Sequence, residues 1–346
     1  MVDEIRYFVA GLGRMTSNAH SLPIDVQLDV DGTLSDLSEV AYGWLEGLSA
    51  RLLPNARQAL TTLPARASKG PGEPGAMFGV LTVSRGGVTA PIKTTERNCS
   101  ASGFAWLRRE LADLPAMATL QIGTVDEMGH RGRRHLVLSL RHHPVSPGWL
   151  RLSMLESDRR LDGSTDSMAV QRMWLAALRS CAQKWNPGFG HISYSYGTGA
   201  TALEDCLPPQ HCPPQQREPE HTVNDCRRLL RGYSWLTIVP AELAGKLGGS
   251  NALAASAAFS RVDELGDGAL WLQATERFEE YHGDAVAKVF DALAPALRPG
   301  LPVQRLRAAG QPPHLLVFED AADRAGVAGL VPPARQATQT DRTLIK

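Results

Sequence analysis

No run of about 18 consecutive apolar residues occurs in this chain, so no membrane-crossing helix is expected. The first ten residues, Met1 to Ala10, include Asp3 and Glu4 and lack a basic n-region, which is not the pattern of a secretory signal peptide. Charge of one sign is missing too: 36 Lys and Arg balance 36 Asp and Glu, for a formal net charge of zero. That balance gives no electrostatic footprint for nucleic acid or anionic lipid, although a local patch could still meet a protein partner. Cysteine is sparse and odd in number, five residues at 99, 181, 206, 212 and 226. In a cytosolic chain this reads as free thiols, not as a disulfide framework. A nucleophile elbow, a phosphate loop and a metal box are all lacking. What is present is an apolar share of 43% in 346 residues, enough to bury a full core without staples.

Ile24 to Val30 alternates Ile, Val, Leu and Val with Asp, Gln and Asp, and reads as a half-buried strand. Val40, Trp44, Leu45, Leu48, Leu52 and Leu53 recur at helical spacing up to Pro54. Residues 64 to 76 read as a surface loop. Further strands are predicted at Met77 to Ser84, Thr119 to Val125, His135 to Arg141, Trp149 to Leu155, Gly190 to Tyr196 and Trp235 to Val239. Helices are predicted at Ser102 to Leu114, Asp166 to Lys184, Ala241 to Leu247, Ala252 to Ala258 and Asp284 to Leu297. Gly248 and Gly249 should stop the helix from Ala241. A Gly-Asp-Gly turn at 266 to 268 should join a hairpin of Ser260 to Leu265 with Ala269 to Ala274. Leu315 to Glu319 is a candidate last strand.

The mixture has no regular βαβ repeat, which predicts an α+β fold with a mainly antiparallel sheet. Two α+β halves are expected, 1–145 and 150–325, the second with a Pro/Gln-rich insertion at 207–221 and followed by a flexible tail at 328–346.

The most informative segment runs from Leu229 to Leu297. Gly232, Tyr233, Trp235, Leu236 and Thr237 precede a short helix and Leu247-Gly248-Gly249. A hairpin then ends in Leu272 and Gln273, and a terminal helix follows. Upstream, Gly190-His191-Ile192 follows Trp185 and the long helix. This pattern, over roughly residues 150 to 300, resembles the bacterial type VI immunity family and the related immunity protein family 52. The resemblance implies a cytoplasmic protein that neutralises a toxin by binding it, with no catalytic residues and no cofactor. The insertion at 207–221 departs from the family pattern and would alter one surface loop, where binding specificity is commonly carried.

Other chemistry is weighed beside it. Asp29-Val30-Asp31-Gly32-Thr33-Leu34 matches the first motif of haloacid-dehalogenase-type phosphatases, in which the first Asp is a nucleophile and the second a general acid. The later Lys and acidic pair of such enzymes have no counterpart at strand ends. The simpler reading is a strand closing in an Asp-Gly turn. Cys206, Cys212, His221 and Cys226 are metal-ligating types within one stretch, at irregular spacing. His191, with Tyr194 and Tyr196, is a weak acid/base candidate, read more simply as a satisfied histidine in an aromatic strand. Arg227, Arg228, Arg231, Tyr233 and Trp235 form the candidate binding set. The leading expectation is stoichiometric binding of a protein partner, a toxin domain or partner subunit. The alternative is a scaffold recruited as an enzyme or enzyme subunit for a small anionic or amino-acid-derived substrate, held by Tyr194, Tyr196, Trp235 and Arg231.

Overall fold

The computed structural model describes residues 21–63, 72–87, 90–142, 145–161, 167–208, 219–304 and 310–326. The chain opens with β1 (Pro23–Asp31), then α1 (Leu34–Tyr42), a π turn (Gly43–Gly47), α2 (Leu48–Leu52) and α3 (Pro54–Leu60). Next come β2 (Met77–Gly87), β3 (Ala90–Asn98), α4 (Ala101–Leu111), β4 (Met117–Val125), β5 (Arg131–His142), β6 (Trp149–Ser157) and α5 (Ser167–Ala182). After β7 (Phe189–Tyr194) follow α6 (Ala202–Cys206), α7 (Pro219–Thr222), β8 (Leu236–Val239), α8 (Ala241–Ala244) and α9 (Gly249–Ala255). The described part closes with β9 (Arg261–Glu264), β10 (Leu270–Gln273), α10 (Asp284–Leu293) and α11 (Ala321–Arg324).

The strands form one sheet of ten, in the order β3-β2-β4-β5-β6-β1-β7-β8-β10-β9. Every adjacent pair is antiparallel, so the fold is α+β as the pattern predicts. The first strand lies between β6 and β7 at the centre. The boundary expected near 145–150 falls between β5 and β6, adjacent strands of that same sheet.

Register sorts the two faces. Directly opposed residues point the same way, so Asp25, Gln27 and Asp29 share a face with Leu155, Ser153 and Arg151 of β6 and with Ser193, His191 and Phe189 of β7. Ile24, Val26, Leu28 and Val30 point oppositely, beside Leu150, Leu152, Met154 and Ile192, all buried. Helices cover that apolar side: α1 packs on β6, α5 on β1, and α3 and α4 on β2. Trp44, Leu45, Leu48, Trp174 and Leu178 extend its core. Farther out, the polar face carries Thr82, Thr119, Gln121 and Ser139 and is only half-buried, as a one-sided antiparallel sheet allows. Over β6, β1, β7 and β8 it is covered, and its polar side chains are enclosed.

Several details depart from the sequence expectations. The helix expected from Val40 carries a π turn at Gly43–Gly47, which seats Trp44 so that its Nε1–H reaches the Ser153 carbonyl, 3.3 Å away. The helical run from Val40 ends at Leu52, just before Pro54 as expected, but Pro54 also starts a further helix, α3, where its missing N–H costs no intrahelical bond. The edge strand β3 has no sequence counterpart. Residues 315–319 form no strand, and part of the Pro/Gln-rich stretch, Pro219–Thr222, is helical. The tail at 328–346 lies outside the described residues. Gly248 and Gly249 adopt positive φ, +78° and +76°, and end the helical turn as expected.

Gly190 shows why β7 needs a glycine. A Cβ there would lie 2.8 Å from Ile238 Cδ1 and 2.9 Å from Leu28 Cδ1, between the two neighbouring strands. Gly190→Ala is expected to destabilise the protein by about 1–3 kcal/mol through overpacking. Urea denaturation should show a lower midpoint at unchanged slope; a midpoint equal to wild type would refute this packing.

Candidate functional site

The covered polar face holds a closed set of charges. Asp29 has no exposed surface and is gripped by two arginines. Arg151 donates from Nε to one carboxylate oxygen at 2.9 Å, and Arg231 donates from Nη1 to the other. Arg231 then makes a fork onto Glu204, with Nε to Oε1 and Nη2 to Oε2 both at 2.8 Å. Two guanidiniums thus meet two carboxylates in a region with almost no solvent contact, and bidentate geometry is what makes such buried pairing tolerable.

The cover over this cluster is tied to it through backbone carbonyls. Arg231 Nη2 donates to Gly199 O at 2.9 Å, and Arg151 donates to Thr198 O at 2.9 Å and Pro219 O at 3.3 Å. Glu204 also accepts from the Thr201 N–H at 2.8 Å, closing a capping box that starts α6. Gly199 sits at φ +78°, and a Cβ there would come within 2.6 Å of Arg151 Nη1. Gly232, one of the glycines carrying the family resemblance, lies against Thr201, whose Cβ would be 2.7 Å from an added methyl.

Protonation follows from burial and these partners. Burial alone would raise the Asp29 carboxyl, but Arg151 and Arg231 outweigh it and hold Asp29 below the ordinary carboxylate range. Burial pushes the Asp25 carboxyl up to about 6, only partly offset by the hydrogen bond from the Ser153 hydroxyl and the charge of Arg151. Burial, with Arg231 adding to it, pushes His191 down to about 3, so its ring is neutral at physiological pH. His191 Nε2 and Gln27 Oε1, opposite each other across β1 and β7, are buried without a hydrogen-bond partner.

The candidate catalytic and binding residues are distributed differently from the sequence expectation. Asp29, the candidate phosphatase nucleophile, is locked between arginines on a strand with antiparallel neighbours on both sides, unlike the strand end of a doubly wound parallel sheet that the motif implies. Asp31 pairs instead with Arg227, which also reaches Glu242 and the Asn186 carbonyl. Arg227 is one-quarter exposed and Arg228 two-thirds exposed. Arg231 and Trp235 are fully enclosed, and Tyr233 is buried, its hydroxyl accepting from the Val317 N–H at 2.7 Å. The substrate pocket expected from Tyr194, Tyr196, Trp235 and Arg231 is not assembled as a unit. Tyr194 and Trp235 both meet the edge of Phe278, Tyr196 stacks on His314, and Arg231 belongs to the charge cluster.

The described members of the metal candidate set, Cys206, His221 and Cys226, form no cluster with one another. Cys226 is buried beneath Gly188, and burial pushes its thiol up; His221 lies in α7; Cys212 lies outside the described residues. Cys206 does join a cluster of ligating groups, but with Asp205 and His314. Among the described residues no helix is long and apolar enough to cross a membrane.

No protein-family model matches this chain. No curated protein matches it either. Among solved structures it is similar to "Pseudomonas aeruginosa T6SS protein PA0821", at 11% identity and a TM-score of 0.49, covering 94% of this chain and 90% of that one. A likeness that distant assigns no function.

Two expectations follow for the cluster. Arg231→Met strands two buried carboxylates, so stability should fall by about 3–5 kcal/mol, read by thermal or urea unfolding. Asp25 titrates at about 6 when folded, above its ordinary value of 3.8. Its contribution is therefore fully present below 3.8 and lost as pH rises through about 6. Asp25→Asn should gain stability over wild type between pH 4 and pH 7.5, on the order of 1–3 kcal/mol. Paired urea titrations at those two pH values check the sign; a difference independent of pH would contradict it.

Proposed function

We propose that this chain is an immunity-type protein that acts in the cytoplasm by stoichiometric binding of a protein partner, neutralising it without chemistry. The reading starts from the resemblance carried by Gly190-His191-Ile192, Gly232, Trp235, Thr237 and Leu247-Gly248-Gly249. One structural observation supports it most. Of seven exposed large apolar side chains among the described residues, three lie on the C-terminal layer: Leu301 at 53%, Val303 at 52% and Phe318 at 37%. Backbone and side-chain bonds bring their segments together. The Gly300 N–H donates to Asp320 at 2.9 Å, and the Leu230 N–H donates to Ala296 O at 2.7 Å. The second contact sets this layer beside the segment bearing the exposed Arg228. Exposed apolar side chains on one layer, with an exposed arginine on the segment bonded to it, are features that a protein-binding surface can use. Within the expected binding set, Arg228 and Arg227 are the members whose side chains keep exposed surface.

The recruited-enzyme reading draws on one observation, the two unpartnered buried atoms Gln27 Oε1 and His191 Nε2. A small molecule retained through purification would favour it.

The test is purification of the tagged full chain from its native host, with mass spectrometry of bound proteins and small molecules. The expected result is a toxin domain in 1:1 complex whose activity falls to zero at equimolar chain. Leu301→Asp combined with Phe318→Asp should weaken that complex by about tenfold or more. Inhibition at far below equimolar chain, or a retained metabolite with a non-toxin partner, would overturn the proposal.

A further inference from the structure

We infer that Asp205, Cys206 and His314 form a binding site for a divalent transition metal, with zinc as the best chemical fit. Two consecutive residues at the end of α6 meet a residue more than a hundred positions later. One ligand atom from each, a carboxylate oxygen, the thiol sulfur and an imidazole nitrogen, lies within 4.8 Å of the other two. Zinc holds S, N and O donors at about 2.0–2.3 Å in tetrahedral geometry, which puts donors about 3.3–3.8 Å apart. The cluster therefore needs to close by at most about 1 Å on its long side. On its short side, His314 Nε2 and Asp205 Oδ2, now hydrogen-bonded at 2.7 Å, open to admit the ion.

The donor set suits the charge of the ion. A thiolate and a carboxylate neutralise a dication, and the imidazole binds uncharged. The Cys206 thiol releases its proton to water, and the neutral imidazole of His314 binds through Nε2 as the tautomer with its single ring proton on Nδ1, with no net proton release from the ring. A set of one sulfur, one nitrogen and one oxygen favours zinc over magnesium or calcium, which take oxygen donors.

Neighbouring contacts hold the ligands. The ring of Tyr196 stacks on His314 with centroids 5.2 Å apart and planes 16° from parallel, and its hydroxyl donates to Pro313 O at 2.7 Å. The Cys206 carbonyl accepts from the Val303 N–H at 2.8 Å. The capping box at the other end of α6 joins the helix to Arg231 and Asp29. Access is one-sided: Cys206 is fully buried, the His314 side chain is 5% exposed and that of Asp205 is 30% exposed. The partly exposed Asp205 is the side from which an ion would enter and a water would complete the coordination as fourth ligand. Bound there, it clips the C-terminal layer to the helix under it.

The test uses tag-free full chain, stripped with chelator and titrated with Co²⁺ as a spectroscopic probe. One equivalent should produce a thiolate-to-cobalt absorption in the near ultraviolet and tetrahedral visible bands, both lost on adding Zn²⁺. Cys206→Ala should abolish the near-ultraviolet band, whereas Cys226→Ala should keep it. His314→Gln and Asp205→Asn should each weaken Zn²⁺ binding by about tenfold or more. Zn²⁺ should also raise the unfolding midpoint of wild type and not of His314→Gln. If Cys206→Ala does not fold, the wild-type thiolate band together with its weakening in His314→Gln decides the matter. Absence of a thiolate band in folded wild-type chain, or an unchanged band in folded Cys206→Ala, would overturn the site.

Discussion

Asp29 is the charge around which the rest of the molecule is arranged. It sits on the central strand of a ten-stranded sheet, with no exposed surface, and it must be compensated where it lies. Arg151 supplies one compensation from the adjacent strand, 122 residues later, and Arg231 supplies the other from a segment 202 residues away. Desolvating a charge is tolerable only when geometry and further hydrogen bonds offset the loss of water. That requirement explains the next layer: Glu204 takes up the rest of the Arg231 fork, and the carbonyls of Thr198, Gly199 and Pro219 take up further N–H groups. The cover over the polar face is thus a consequence of the charges beneath it.

The same arrangement decides where function can lie. Asp25, Asp29 and His191, all with perturbed protonation, are enclosed on one face of the adjacent strands β1 and β7. Perturbed values mark active sites and structural ion networks alike. Here the pairing closes internally, which favours the structural role; under the proposed binding function, recognition would use exposed surface instead. Leu301, Val303, Phe318 and Arg228 lie there. The Asp205, Cys206 and His314 cluster lies at the seam between the cover and the C-terminal layer, so a metal and a partner would act on neighbouring parts of one surface.

Periodicity made most of the fold legible, because alternation and helical spacing are local. Nine of the ten observed strands have counterparts in the sequence pattern, and the long helix α5 falls within one to two residues of its expected span. The missing strand, β3, is an edge strand rich in Thr, Lys and Glu, with too little apolar alternation to be seen. The alternation of Ile24 to Val30 reads as half-buried, yet the strand is enclosed on both faces, since nothing local announces arginines 122 and 202 residues away. In sequence Arg231 is one member of a basic cluster with Arg227 and Arg228, and only the tertiary fold separates the buried one from the exposed one. Cys206 is legible as a ligand type, but its neighbours in sequence do not reveal His314, which arrives from more than a hundred residues later.

The most direct measurement is native-state amide hydrogen exchange, comparing β1 with the covering segments 197–207 and 230–236. If the Asp29 pairing binds cover and sheet into one cooperative unit, both should open with the same free energy, the global one. Fast local exchange of the cover while β1 stays protected would contradict it: the charges would then be exposed by local opening, and a chemical role for them would return.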